Sequence, residues 1–309
     1  MELSFLLMQQ ILKLFIMVVV GYVIVKAKLF KVEDSKIMSK FVLYVASPCA
    51  ILSSYQVSFS NEKLHGLFIA LIGALVVQIA FIIGARLLNN FREFQSIEKA
   101  AMIYANSGNL IIPLVGSVLG TQWVIYSSGY MLIQTILLWT HAKSLVMESP
   151  SYEFKKIVLN INVIAIVIGF AMFMSKITLP SILGETVSSF GSMIGPLSMI
   201  IVGMLIANMN LSEVFANKRA YVICFYRLIV FPLFAVALLK VTDIFFFGSN
   251  GNEIFIITLL AASAPTASTI TNFAQIFDKD PAYSSIINVL SVIFCLITMP
   301  LIIMFYQII

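Results

Sequence analysis

Two long apolar stretches of this chain are interrupted in their middles by polar residues and a proline. The first, Ala101 to Leu119, reads AMIYANSGNLIIPLVGSVL and sets Asn106, Ser107, Gly108, Asn109 and Pro113 among aliphatic side chains. The second, Ile254 to Gln275, carries Ser263, Pro265, Thr266, Ser268, Thr269, Thr271 and Asn272. Each is long enough to cross a bilayer, which takes roughly 20 residues. An unpaired backbone group in hydrocarbon costs several kcal/mol. Irregular backbone therefore persists at membrane depth only where protein buries it or a wet cavity receives it. The interruptions predict two broken helices, held open at Pro113 and Pro265, that shape a polar site inside the membrane. Proline, serine and threonine also kink packed membrane helices without any binding role, and that alternative stands beside the first.

The rest of the chain sets the context for these breaks. Hydrophobic residues make up 61% and charged residues 11% of it. A soluble domain carries about twice that charge. The composition predicts an all-α integral membrane protein with ten transmembrane helices. The apolar runs fall near 3–25, 37–55, 64–89, 99–119, 123–142, 156–175, 186–208, 219–240, 253–275 and 282–306. The first lacks a basic leader and a small-residue cleavage site, so it reads as a retained span. The polar stretch 143–155 divides the chain into two five-span halves, 1–142 and 156–309. Connections after odd-numbered spans hold most of the lysine and arginine, from Lys26 to Lys40 and then at Arg86, Arg92, Lys99, Lys143, Lys155, Lys156, Lys218, Arg219 and Lys279. Connections after even-numbered spans hold only Lys63, Lys176 and Lys240. The positive-inside rule makes the odd connections cytoplasmic and both termini extracellular, in a multi-pass protein of the plasma membrane. The net charge of +5 sits in these connections, which excludes a nucleic-acid patch.

An odd number of spans per half inverts the second half relative to the first. Landmarks recur at nearly one offset: Gly21 with Gly169, Pro48 with Pro196, Pro113 with Pro265. An inverted repeat follows as an expectation. A helix broken in the membrane frees N–H groups on one side of the break and carbonyls on the other, and the N-terminal side attracts anions. Asn106, Ser107, Gly108, Asn109, Thr266 and Ser268 around the two breaks are the candidate ligands of a carboxylate. Gly108 is expected to allow close backbone approach. Arg227, inside the eighth span, either balances the anion or pairs with a helix C-terminus. Lys13 in the first span is a weaker candidate of the same kind. Ser47, Pro48 and Cys49 in the second span are candidates for a cavity wall.

Several chemistries are excluded by what is missing. No acidic residue lies well inside a span, no HExxH or GxxxxGK[ST] occurs, and Cys49, Cys224 and Cys295 have no metal spacing. The expectation is a chain without enzymatic activity, cofactor or metal. Coupling to an ion, if any, falls to Na⁺ on carbonyls and hydroxyls or to a proton carried with the substrate.

Short motifs in order along nearly the whole chain carry a resemblance. They are VASPCAI at Val45 to Ile51, NSGNLIIPL at Asn106 to Leu114, Ala264-Pro265-Thr266, Asn272-Phe273-Ala274 and Met299-Pro300-Leu301. In combination they resemble the auxin efflux carrier family. The resemblance implies two inverted five-span repeats in a fold similar to bile-acid and Na⁺/H⁺ transporters. Spans 1, 2, 6 and 7 would form a scaffold and spans 3–5 and 8–10 a transport domain. The fourth and ninth spans would cross at Pro113 and Pro265, with Asn106 as a carboxylate ligand and a homodimer formed through the scaffold. The short central connection is similar to the prokaryotic branch, which implies malate or another mono- or dicarboxylate as substrate. Plant members carry glutamine after the ninth-span proline, where this chain has Thr266. The alternatives are a Na⁺-coupled symporter of the bile-acid type on the same fold and a membrane sensor that transports nothing.

Overall fold

A computed structural model describes residues 2–150, 152–244 and 251–309, with the side chains of residues 2–5, 7, 11, 109 and 252 outside that description. The described residues are helical and form no strand. In chain order the principal helices are α1 (Glu2–Lys26), α2 (Val32–Ser54), α3 (Asn61–Phe91), α4 (Ser96–Ile103), α5 (Ser107–Val118) and α6 (Val124–Leu137). They continue with α7 (Ile161–Met174), α8 (Ser181–Ala207), α9 (Lys218–Thr242), α10 (Asn252–Ala262), α11 (Ser268–Ile276) and α12 (Pro281–Ile308). Six of them, α1, α2, α3, α8, α9 and α12, are long and apolar enough to cross a membrane. The helix α6 runs on through a π turn (Leu138–Ala142) to Met147, so the expected central loop begins as helix. Glu153 then pairs with both Lys143 and Lys156 at 2.8 Å. Those two ammonium groups hold its carboxyl below the usual carboxylate range.

Local chemistry sets the helix ends. The Ser60 side chain accepts from the Lys63 N–H at 3.2 Å and starts α3. Asp280 accepts from the Tyr283 N–H at 3.0 Å, and Pro281 supplies the first residue of α12 without wasting a donor. Proline explains two of the three π turns. Val42–Ala46 ends two residues before Pro48, and Tyr226–Val230 ends two residues before Pro232. The pyrrolidine ring clashes with the carbonyl four residues back, and a widened turn relieves the clash while the helix continues.

Helices α1, α2, α7 and α8 pack on one another, and α3–α6 pack with α9–α12. Within the first group, α1 and α8 approach backbone to backbone. A Cβ on Gly21 would stand 2.1 Å from the Ile200 carbonyl oxygen, and one on Gly203 would stand 1.9 Å from that of Val18. Only glycine permits this approach. The two groups meet where α1 and α8 touch α5 and where α1 touches α12. At that seam Pro113 fills the space beside Gly195, where a Cβ would come within 2.9 Å of the proline ring. The buried Glu98 carboxylate ties the start of α4 to α9 and α12, accepting from Arg219 and, at 2.7 Å, from the Tyr283 hydroxyl.

Candidate functional site

The first break covers Tyr104, Ala105 and Asn106. Tyr104 turns extended (φ −101°, ψ 127°), and α5 restarts with Asn106 as its N-cap. Asparagine and serine favour such caps because their side chains compete with the helix ladder. Here, though, the Asn106 side chain makes no capping bond. The expected breaker Pro113 is not at the break: it lies inside α5. The second break runs from Ser263 to Ala267 and does contain its proline. Pro265 has no N–H to give and pushes Ala264 out of the helical region.

The two breaks pair with each other. The Asn106 N–H donates to the Pro265 carbonyl at 2.7 Å, and the Ala267 N–H donates to the Tyr104 carbonyl at 2.9 Å. This two-bond antiparallel bridge sets Ala105 opposite Thr266. The outer edges of the bridge are closed by side chains. Gln134 donates to the Ala105 carbonyl at 2.7 Å and accepts its N–H at 3.3 Å, as a neighbouring strand would. On the other edge the Thr266 N–H donates to Ser291 Oγ at 3.1 Å, and Asn288 donates to the Thr266 carbonyl at 2.9 Å. Every backbone group of Ala105 and Thr266 is thus paired, as a buried break requires.

The carbonyl ends of both half-helices are closed as well. Arg227 is 0% exposed and donates through Nε and Nη2 to the Ala264 carbonyl (3.1 and 2.7 Å) and through Nη1 to that of Met102 (3.3 Å). Its guanidinium also lies over the Phe81 ring, 6.0 Å from the centroid. The Thr266 hydroxyl donates to the Ala101 carbonyl at 3.2 Å. The amino ends are different: the N–H groups of Ser107 and Gly108 at the start of α5, and of Ser268 and Thr269 at the start of α11, have no partner outside their own helices among the described residues.

A cavity of about 210 Å³ lies at the seam between the two helix groups, against Asn106, Leu110 and Pro265 on one side and α1, α8 and α12 on the others. Its wall is almost wholly apolar. Among the described residues that line it, only Asn106, Tyr22 and Cys295 have polar side chains, and none is charged.

The sequence candidates divide on this geometry. Asn106 and Pro265 line the cavity. Ser107 is buried and accepts from Gln134 at 2.9 Å. Gly108 is half-buried, and a Cβ there would meet only Met131 at 3.7 Å, so no close approach demands glycine. The Asn109 side chain lies outside the described residues. Thr266 is buried and turned to backbone, while Ser268 is exposed away from the cavity. Arg227, expected as a possible anion ligand, instead takes the helix C-termini, and Lys13 is exposed on α1. Ser47, Pro48 and Cys49 in α2 do not line this cavity. Sequence reasoning passed over Gln134, Asn288 and Ser291, and over Gln78, which donates to Tyr130 at 2.8 Å and to Gln134 at 3.3 Å. A signal was there: a polar side chain in the middle of an apolar span needs a reason.

A family model described as membrane transport protein, that of the auxin efflux carriers, matches residues 6–303. No curated protein matches the chain. An all-helical chain with six apolar helices of spanning length and a family match over nearly its whole length is a multi-pass membrane transporter. The chain belongs to the auxin efflux carrier family of membrane transport proteins.

Proposed function

We propose that this transporter is a secondary carrier for a small organic anion, which binds by its carboxylate at Asn106 and the amino end of α5. The observation that carries the reading is the Asn106 side chain, without a hydrogen-bond partner among the described residues, on the wall of a largely apolar cavity. An amide donor at the cap of a helix N-terminus suits one carboxylate. No charged side chain among the described residues on that wall would pair with a second. A second buried carboxylate without a partner is strongly disfavoured. The lining therefore favours a monocarboxylate with an apolar body over a dicarboxylate such as malate.

The packing into two helix groups supports alternating access. Helices α1, α2, α7 and α8 serve as the scaffold, and the remainder, carrying the paired breaks, moves against it by an elevator-like or rocking motion. The cavity sits at the seam such a motion would open and close. Counting the broken pairs α4–α5 and α10–α11 as one span each gives the ten-span, inverted-repeat reading. Homodimerisation through the scaffold and extracellular termini are carried over as part of the same proposal.

The competing reading is a Na⁺-coupled symporter. Na⁺ would need oxygen ligands at the crossing, but Arg227 already holds the Ala264 and Met102 carbonyls there and Thr266 holds that of Ala101. A fixed guanidinium at those oxygens also repels a cation. We infer transport without Na⁺. The deciding experiment is uptake of phenylacetate and of malate into proteoliposomes, with and without Na⁺, by wild type and Asn106→Ala. Phenylacetate uptake that is indifferent to Na⁺ and lost in the variant is expected. Uptake of malate alone, or strict Na⁺ dependence, overturns the reading.

A further inference from the structure

A second cavity, of about 320 Å³, lies inside the group α3–α6, away from the paired breaks. It is lined by Arg86, Asn89 and Asn90 near the end of α3, by Lys99 of α4, and by His141 in the π turn after α6. Its polar side chains are biased to one role. Arg86 and Lys99 can only donate, and neither forms an ion pair among the described residues. Asn89 spends its carbonyl oxygen on the Phe94 N–H at 3.1 Å, which leaves its NH₂ to donate. His141 meets the Tyr104 hydroxyl through Nδ1 at 2.7 Å, which leaves Nε2. No carboxylate lines the cavity. Of the acidic residues on the adjoining chain, Glu98 bonds Arg219 and Tyr283, and Glu148 bonds Lys279 at 2.6 Å and Ser96 while its charge also reaches Lys99.

We propose that this cavity binds a phosphate group. A phosphate offers several acceptor oxygens and negative charge, which is the complement of a guanidinium, an ammonium and amide donors in a lining without a carboxylate. The site lies at the end of α3 that the basic connections mark as cytoplasmic, where anionic headgroups concentrate. Beside Arg86, the side chains of Ile83 and Leu87 are 50% and 56% exposed, a surface along which acyl chains can lie. These features favour a phospholipid headgroup as the source, with free phosphate as the other. The site is separate from the proposed carboxylate site and stands independently of it. It is linked to the crossing by one side chain: Tyr104, which bonds His141 at the cavity, gives its carbonyl to Ala267 in the bridge.

The test uses the purified full chain in neutral detergent and follows its unfolding temperature during titration. The probes are phosphatidylglycerol, phosphatidylcholine and inorganic phosphate; a ligand of the native state raises that temperature. The variants are Arg86→Gln with Lys99→Gln, and Asn89→Asp. The second keeps the acceptor for the Phe94 N–H and replaces the free NH₂ with charge, so it guards against a fold defect in the first. Phosphatidylglycerol should stabilise wild type beyond phosphatidylcholine, and each variant should weaken that apparent affinity at least about tenfold. A shift with inorganic phosphate, lost in the same variants, would identify free phosphate as the ligand of the same site. No shift with either anionic probe, or equal shifts in wild type and both variants, overturns the proposal.

Discussion

The two breaks look alike in the sequence and differ in the folded chain. The break at 263–267 is tied into the protein at most of its backbone. It has its own proline, its Ala264 carbonyl is taken by Arg227, and Asn288 and Ser291 hold Thr266, although the buried Ser263 hydroxyl has no partner among the described residues. The break at 104–106 is made without proline, by residues that favour caps. Its edge is held by Gln134, while the Asn106 side chain lines the cavity without a hydrogen-bond partner among the described residues. One break carries its proline and a carbonyl held by arginine, and the other sets a polar cap side chain on the cavity wall. The backbone at the centre of a crossing can be fully paired while one cap side chain stays open, at a point where a ligand can take it.

That division can be broken experimentally, beginning with its strongest support. Arg227→Met removes the donors to Ala264 and Met102 and leaves buried carbonyls without partners. The expected loss is about 3 kcal/mol of stability, read as a large fall in unfolding temperature in detergent. A variant of unchanged stability would mean that water replaces the guanidinium, and the second break would not depend on arginine for its carbonyl. Next, Gln134→Leu strips both bonds from Ala105 and should cost about 2 kcal/mol, the desolvation of the groups left bare. Gln134→Glu keeps an acceptor for the Ala105 N–H but not the donor to its carbonyl, so it should fall between.

Asn106→Ala tests the open half. It should leave the unfolding temperature within a degree or so of wild type, since the side chain has no hydrogen-bond partner among the described residues. Carboxylate affinity should drop by about tenfold or more, the worth of one charge-assisted hydrogen bond. Loss of stability without loss of affinity would reverse the assignment. The smallest effects distinguish the prolines by sign. Pro265→Ala should destabilise by less than about 1 kcal/mol, through added freedom in the unfolded chain. Pro113→Ala restores a donor inside α5 and should stabilise by about 1 kcal/mol, offset by the lost contact with Gly195. Equal effects of the two would restore the symmetric reading.

Much of this was legible along the chain. The apolar runs announced the membrane, because burial in hydrocarbon needs only length and composition. Both breaks were located within a few residues, because cap formers and proline act on their own backbone. The family resemblance stood on the same motifs, and the match over residues 6–303 agrees with it. Context decides the rest. A proline in a span usually disturbs it, which points to Pro113 as the breaker, yet Asn106 and its neighbours end the helix first. A buried cation demands a partner, so Arg227 reads equally as an anion ligand or as a partner of a helix C-terminus, and only the second pairing is seen in the fold.

What the sequence determined by itself is therefore local: an all-helical membrane chain, its two interruptions, and an asparagine poised at one of them. What only the tertiary structure decided is every pairing between distant residues. It brought Ala105 opposite Thr266, sent Arg227 to two helix ends at once, set Gln134 along the edge of the bridge and left Asn106 facing an apolar cavity. The physical reason is that propensity, capping and proline geometry act within a turn of the chain. The destination of a buried donor depends on which segments the packing brings within three ångströms, and no local rule contains that.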